Sequence, residues 1–237
     1  MDMETPEQAF TLFGPPHLLI IAMIPVLAAI MAWAARRNPA TARWLRIGLG
    51  SLLILNELAW YVYLLYTDGI QFPDLLPLQL CDVTLWVTAI TCFTLKPGGY
   101  EFAYYAGIAG SGMAVITPDV WMPLLSYPTI HFFLAHGGAV IAVLFLTWAD
   151  LARPRLGSVL RVFLYMNIFA ALVGAFNFVF KTNYMYLCQK PAGASLLDYF
   201  GPWPFYILGG EVLTLALFTL LWLPVKKRSI MVAHQSP

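Results

Sequence analysis

The stretch PHLLIIAMIPVLAAIMAWAA, residues 16–35, decides the class of this protein. It runs for twenty residues without an Asp, Glu, Lys or Arg and ends against Arg36 and Arg37. A helix needs about 20 apolar residues to cross the hydrocarbon core of a bilayer, since each residue advances it only ~1.5 Å. Six more stretches read the same way, roughly 45–66, 76–95, 100–117, 130–150, 159–180 and 204–224. The 237-residue chain is 60% hydrophobic and 11% charged, whereas soluble domains carry about 25% charged residues. So few charges cannot cover a water-facing surface. The predicted fold is all-α, a single polytopic bundle of seven transmembrane helices over residues 1–237.

Charge placement sets the expected orientation. Arg36, Arg37, Arg43 and Arg46 fall between the first two spans, and Lys96 follows the third. Arg153, Arg155 and Arg161 lie between spans five and six, and Lys226, Lys227 and Arg228 follow the seventh. The alternate loops hold only Lys181 and Lys190. Basic residues concentrate on the cytoplasmic side, so the N-terminus is expected outside and the C-terminus in the cytoplasm. Residues 1–8 carry Asp2, Glu4 and Glu7 without a basic residue, which does not read as a cleaved signal peptide. A net charge of +1 and the absence of a long basic run give no nucleic-acid signature. Cys81, Cys92 and Cys188 are too few and too scattered for a disulfide framework.

Prolines and glycines refine the spans. Pro15, Pro16 and Pro204 suit helix entrances, where a missing N–H costs nothing. Pro25 is expected to kink the first span, and Gly107, Gly110 and Gly112 to pack the short fourth span closely against a neighbour. The connections Asp119–Thr129 and Lys181–Trp203 are too apolar for solvated loops. They read either as interfacial aromatic belts or as lids over a site that opens outward.

Ionisable groups inside a span cost roughly 2.5–3.5 kcal/mol on insertion scales, so each needs a partner or a task. The candidates are Glu57 with Asn56, Asp82 with Gln79 and Cys81, His131 and His136, and Glu211, with Asn167 and Asn177 on span six and His17 opening span one. Counted from the span ends at ~1.5 Å per residue, all but Asn167 fall in the outer half of the bilayer. A polar cavity reached from that side is expected. As packing alternatives, the asparagines and Gln79 serve as interhelical glue, Glu57 and Glu211 as neutral hydrogen-bonded acids, and Cys92 as a small packing residue.

Two chemistries compete for the cluster. Cys81 becomes a nucleophile if a base takes its proton, and His136 is the candidate base. Asp82, about 100° around the helix, either orients the histidine as a third member or pairs elsewhere. A metal would draw on the same residues, but His131 and His136 are five residues apart, about 140° around a regular helix, and no H-x-x-x-H or H-E-x-x-H occurs.

A resemblance then enters on particular residues: Phe13-Gly14-Pro15-Pro16-His17, Leu78-Gln79-Leu80-Cys81-Asp82, His131 to His136-Gly137-Gly138, Asn177, Asn183-Tyr184-Met185-Tyr186-Leu187, Pro191, and Gly201-Pro202-Trp203-Pro204. This pattern resembles YwaF-type bacterial integral membrane proteins, related to the vertebrate transmembrane protein 164 family, over nearly the whole chain. The vertebrate branch is similar to the androgen-induced membrane fatty-ester hydrolases. The resemblance implies a lipid acyltransferase with Cys81 as acyl-accepting cysteine and His136, or secondarily His131, as its histidine. Asp82 is where this chain is expected to depart from the vertebrate pattern.

The function expected from residues and resemblance together is phospholipid acyl transfer or acyl hydrolysis through a thioester, in a bacterial cytoplasmic membrane. Phospholipid and lysophospholipid are the expected substrates and partners, and no cofactor is required. Gln79, Asn177 or a Tyr of the outer loops, such as Tyr184, would stabilise an oxyanion. Lys181, Asn183 and Lys190 would hold a headgroup, and His17, Glu57 and Glu211 would line the cavity. The alternatives are a zinc-dependent intramembrane lipid hydrolase and a non-enzymatic transporter or binding protein.

Overall fold

The computed structural model describes residues 10–69, 71–73, 75–120, 122–191, 193 and 195–233, the side chains of 227–233 excepted. Asp2, Glu4, Glu7 and Trp121, and the side chains of Lys227 and Arg228, therefore lie outside the described residues. The described chain is helical throughout, without a strand. Helix α1 (Pro15–Arg37) starts on two prolines and continues through Pro25. The others are α2 (Pro39–Thr67), α3 (Leu80–Thr94), α4 (Pro97–Phe102), α5 (Gly112–Ile116), α6 (Tyr127–Trp148), α7 (Ser158–Phe180) and α8 (Phe205–Ala233). A π-helix, Ala103–Ser111, joins α4 to α5 without a break.

Among the described residues, α1, α2, α6, α7 and α8 up to Lys226 are the five helices long and apolar enough to cross a membrane. Two predicted spans differ in form. The third is a helix of only 15 residues, because the chain before Leu80 is held in turns by loop contacts. The fourth is the composite of α4, π-helix and α5. Large apolar side chains such as Leu19, Leu55, Leu160, Leu172, Phe178 and Val212 stand exposed along α1, α2, α7 and α8. In water that surface would be untenable, and in a bilayer it faces lipid.

The described residues group into two compact units. The first holds the chain up to Gly69 and Thr84–Ala152. Here α6 is central and packs on α1, α2 and the π-helix, around Ile24, Val115 and Val140. Small residues set the approach distances. A Cβ on Gly50 would stand 3.0 Å from the Ala89 carbonyl, and one on Gly138 would stand 2.9 Å from Leu53 Cδ2. Gly107 likewise abuts Val143, with 3.3 Å available, whereas Gly110 and Gly112 face open space. Only the first of the three predicted packing glycines therefore makes a close contact.

Three hydrogen bonds fix which helix ends share a level in this unit. The His17 ring donates from Nε2 to the Val115 carbonyl at 2.8 Å, joining the start of α1 to the end of α5. Arg46 Nη1 donates to the Cys92 carbonyl at 2.8 Å, joining the early turns of α2 to the last turn of α3. Its charge also complements the negative C-terminal end of that helix. The Tyr100 and Thr147 hydroxyls bond at 2.7 Å, joining α4 to the end of α6.

The second unit holds residues 70–83 and 153–237, so α3 begins in it and continues into the first. Within it, Asn167 Nδ2 on α7 donates to Glu211 Oε2 on α8 at 2.9 Å. This corrects the depth reading, which set Asn167 below Glu211. The two share a level because α8 does not begin opposite the end of α7. The Lys181–Trp203 connection is folded, with short 3-10 turns at Tyr184–Tyr186 and Leu196–Phe200.

Candidate functional site

The first turn of α3 carries the thiol. Gln79 accepts the amide of Val83 and so stands at the cap, which places Cys81 and Asp82 in the second and third helical positions. Asp82 Oδ2 reaches back to accept the Gln79 amide at 3.1 Å, one half of a capping box. Its Oδ1 accepts the Cys81 thiol at 3.7 Å. Both carboxylate oxygens are thereby engaged within the same turn. Of the two roles open to Asp82, this geometry is that of a cap that pairs with its own neighbours.

The loop after α7 holds that turn in place. Asn177 Oδ1 accepts the Tyr184 amide at 2.9 Å and the Thr182 hydroxyl at 2.8 Å, while its Nδ2 donates to the Tyr184 carbonyl at 2.9 Å. The Tyr184 hydroxyl donates to the Pro73 carbonyl at 2.7 Å and accepts the Leu76 amide at 3.1 Å. Gln79 Oε1 accepts the Met185 amide at 2.9 Å. Met185 and Tyr186 both hold left-handed backbone conformations, φ 57° and 52°, which non-glycine residues adopt only when surroundings over-determine them. The Tyr186 carbonyl accepts the Tyr206 hydroxyl at 2.6 Å.

Several predicted ligand residues are thus occupied. Asn177 and the Gln79 carbonyl oxygen serve backbone groups. Asn183 closes its own loop, its Oδ1 accepting the amides of Cys188 and Gln189 and its Nδ2 donating to the Gln189 carbonyl. Lys190 pairs with Asp198 at 3.5 Å. Lys181 ends α7 in a left-handed conformation, with its ammonium over the Phe178 ring.

Among the described residues the histidines, His17, His131 and His136, lie in the first unit, and their hydrogen bonds distinguish them. His17 is buried with both nitrogens used: Nδ1 accepts the Phe13 amide at 2.9 Å and Nε2 donates to Val115. His131 receives Asn56 Nδ2 at Nδ1, 3.0 Å away. The same Nδ2 also bonds the His131 carbonyl, which can only accept, so the nitrogen of the amide faces His131. Nδ1 of His131 is therefore the acceptor, and in the neutral ring the proton sits on Nε2. His136 is the reverse. Its Nδ1 donates to the Phe132 carbonyl at 2.9 Å, which leaves the Nε2 lone pair open. Among the described histidines, His136 alone presents a nitrogen poised to take a proton.

Around His131 stands an aromatic group that the sequence reading did not single out. Trp60 stacks on the imidazole at 4.5 Å and 8°, and Tyr63 stacks on Trp60 at 5.4 Å. Trp60 follows Asn56 by four positions and Glu57 by three, so helical spacing puts all three on one side of α2. That was the available signal. A cavity of about 220 Å³ opens here between Trp60, Asp119, Met122, Thr129, His131 and Phe132. Glu57 is buried within α2, and Glu101, also buried, is an acid inside the fourth predicted span that the sequence reading missed. No three His, Cys, Asp or Glu side chains among the described residues are grouped to hold a metal. Helix α6 is regular from Tyr127, so His131 and His136 stay on different faces.

With the fold and these side chains placed, likeness to known proteins can be weighed. A family model covers residues 12–222. The chain belongs to the TMEM164 family. The match takes in every helix described above except the end of α8, together with both the α3 turn and the α6 histidines. No curated protein and no solved structure matches the chain. The TMEM164-family assignment accords with a helical membrane protein, and the chemistry has to be argued from the side chains.

Proposed function

We propose that this TMEM164-family chain is a membrane-embedded phospholipid acyltransferase, able to act as an acyl hydrolase, with Cys81 as nucleophile and His136 as general base. The observation that carries the reading is the His136 tautomer: Nδ1–H is committed to the Phe132 carbonyl, so Nε2 is the acceptor a base needs. The Cys81 thiol already donates to the Asp82 carboxylate beside it, and a separate base makes the nucleophile.

In the first half-reaction His136 Nε2 takes the Cys81 proton and the sulfur attacks an acyl ester carbonyl of a phospholipid. The ester C–O bond breaks, the departing lysophospholipid oxygen takes the proton from the imidazolium, and a Cys81 thioester remains. A second lysophospholipid hydroxyl, or water, then gives its proton to His136 and attacks the thioester. The C–S bond breaks and the thiolate recovers the proton from His136. Gln79 Nε2, two residues before Cys81, is the candidate donor to the oxyanion, and Lys181 is the cation for the phosphate.

We further infer seven passes, counting α3 and the α4–π–α5 composite, in a bacterial cytoplasmic membrane of the YwaF-type branch. The N-terminus is outside and the C-terminus is cytoplasmic. Support comes from the three level-sharing hydrogen bonds, which are those an up-and-down path demands, and from the eleven basic residues in alternate loops. The test uses purified protein in liposomes with a labelled phospholipid donor and a lysophospholipid acceptor. Transfer and a hydroxylamine-sensitive acyl adduct on Cys81 are expected, both lost in Cys81→Ser, with adduct formation slowed about 10²–10⁴-fold in His136→Ala. Unchanged transfer in both variants refutes the mechanism.

A further inference from the structure

A large apolar recess in the first unit lies along α1 and α6. It measures about 620 Å³. Its wall on α1 runs from Pro16 through Met23 and Leu27 to Met31, and its wall on α6 from Ile130 to Ile141. Among the described residues no charged side chain lines it. Gly137 and Gly138 belong to the α6 wall, held close to Ile24 and Leu53.

Size identifies the occupant. Pro16 to Met31 is 15 helical steps, about 22 Å at 1.5 Å per residue, and the recess volume over that length gives a mean cross-section of about 28 Å². An α-helix with side chains is ~10–12 Å across, roughly 80–110 Å² in section, so a helix from a second copy of this chain does not fit. A single hydrocarbon chain does. A methylene takes up about as much room as a water in the liquid, ~30 Å³, so the 620 Å³ recess has room for about 20 methylenes, enough for one acyl chain of about 16–18 carbons. The long axis follows α1, the direction in which lipid tails already run. One end opens where α1 and α6 begin, and the other lies in hydrocarbon.

We propose that this groove binds one acyl chain of a membrane glycerophospholipid, glycerol end toward Pro16 and Ile130, methyl end toward Met31 and Ile141. Its use as the donor-chain site rests on the acyl-transfer reading, whereas occupancy itself does not.

The experiment therefore needs no turnover. Protein is reconstituted with phosphatidylcholine bearing a diazirine either near the carboxyl group or near the methyl end of one palmitoyl chain, then irradiated and mapped by peptide mass spectrometry. The carboxyl-proximal probe is expected on Ile20 and Ile130, and the terminal probe on Met31 and Ile141. Leu27→Trp fills the groove at mid-length, so the distal half of the acyl chain can no longer bury itself between α1 and α6. Terminal-probe labelling at Met31 and Ile141 is then expected to fall by about tenfold or more. Ile30→Trp, on the lipid-facing side of the same helix, is expected to leave it unchanged. The wild-type positional pattern stands as a test even if Leu27→Trp does not fold. Labelling that is the same for both probes, or equal on the groove and on Val26 and Ile30, overturns the proposal. Cys81→Ser must retain the wild-type pattern, so loss of acyl transfer and loss of the groove are read separately.

Discussion

Asn177→Ala tests the view that the α7 loop is a folded clamp on the start of α3. The wild-type amide makes three hydrogen bonds, to the Tyr184 amide, the Tyr184 carbonyl and the Thr182 hydroxyl. Tyr184 is buried, so truncation takes from its amide the Asn177 acceptor, while its carbonyl keeps the Leu187 amide at 3.4 Å. In soluble proteins a buried group that loses its hydrogen bond costs about 1–3 kcal/mol. Side-chain hydrogen bonds measured inside membranes average only ~0.6 kcal/mol, because the unfolded chain finds partners there too. Three bonds at the membrane value give about 2 kcal/mol, and one buried amide at the upper soluble value gives about 3 kcal/mol. The expected loss is therefore about 2–3 kcal/mol, read as the unfolding free energy from SDS titration in mixed micelles. A second consequence is local. The Tyr184 hydroxyl holds Pro73 and Leu76, so the segment entering α3 loosens and maleimide labelling of Cys81 accelerates. Tyr184→Phe, which removes the hydroxyl that makes those bonds, is expected to reproduce the labelling change with a smaller stability loss. If Asn177→Ala unfolds within about 0.5 kcal/mol of wild type, as a change at an uninvolved surface position would, the clamp carries no load and the reasoning is refuted.

The same contacts make three other outcomes testable. Gly138→Ala places a Cβ 2.9 Å from Leu53 Cδ2 and is expected to destabilise the protein by about 1–3 kcal/mol through overpacking, with Leu53→Ala recovering part of the loss in the double variant. No recovery in a double-mutant cycle would mean that the α2–α6 approach is not limited by this contact. Asn56→Leu removes the donor to His131 and should change acyl transfer by less than about tenfold, against the 10²–10⁴-fold expected from removing the base; a reversal of that order would make His131 the base. In the exposed 190–200 segment, the Ser195 amide and then Lys190 hold the Asp198 carboxyl below its ordinary value. A depressed folded value contributes stability above the unfolded value of about 3.9 and loses it as pH falls through the folded one. Hydrogen-exchange protection of residues 195–200, corrected for intrinsic rates, should thus fall on acidification below that range in wild type and show no such step in Asp198→Asn.

The apolar helices were legible because burial in lipid imposes a composition, and composition survives in a one-dimensional string. Twenty uncharged residues before Arg36 state their environment without help from the rest of the chain. The polar residues were legible only as a set. Gln79, Asn177 and His17 were read as facing a ligand because a polar side chain in a span needs a partner, and Asn183 as a headgroup ligand in the outer loop, yet all four bond main-chain groups, of Met185, Tyr184, Val115 and Gln189 respectively. Every residue offers the same amide and carbonyl, so no residue type announces where the backbone will turn and require them. The two left-handed residues at Met185 and Tyr186 show the consequence: the loop was recognised as too apolar for solvent, but the turn that needs Gln79 and Tyr206 to hold it left no glycine to mark it. Histidine tautomers fall in the same class. The sequence put His131 and His136 on one helix as rival bases, and what separates them is whether a side-chain donor or a carbonyl reaches Nδ1. Asn56 and the Phe132 carbonyl make that choice, and the second of these is nothing more than the helix acceptor four residues back. The tautomer of His136 is thus a property of its own helical turn, which would keep it in place while Nε2 gained and lost a proton in the proposed reaction.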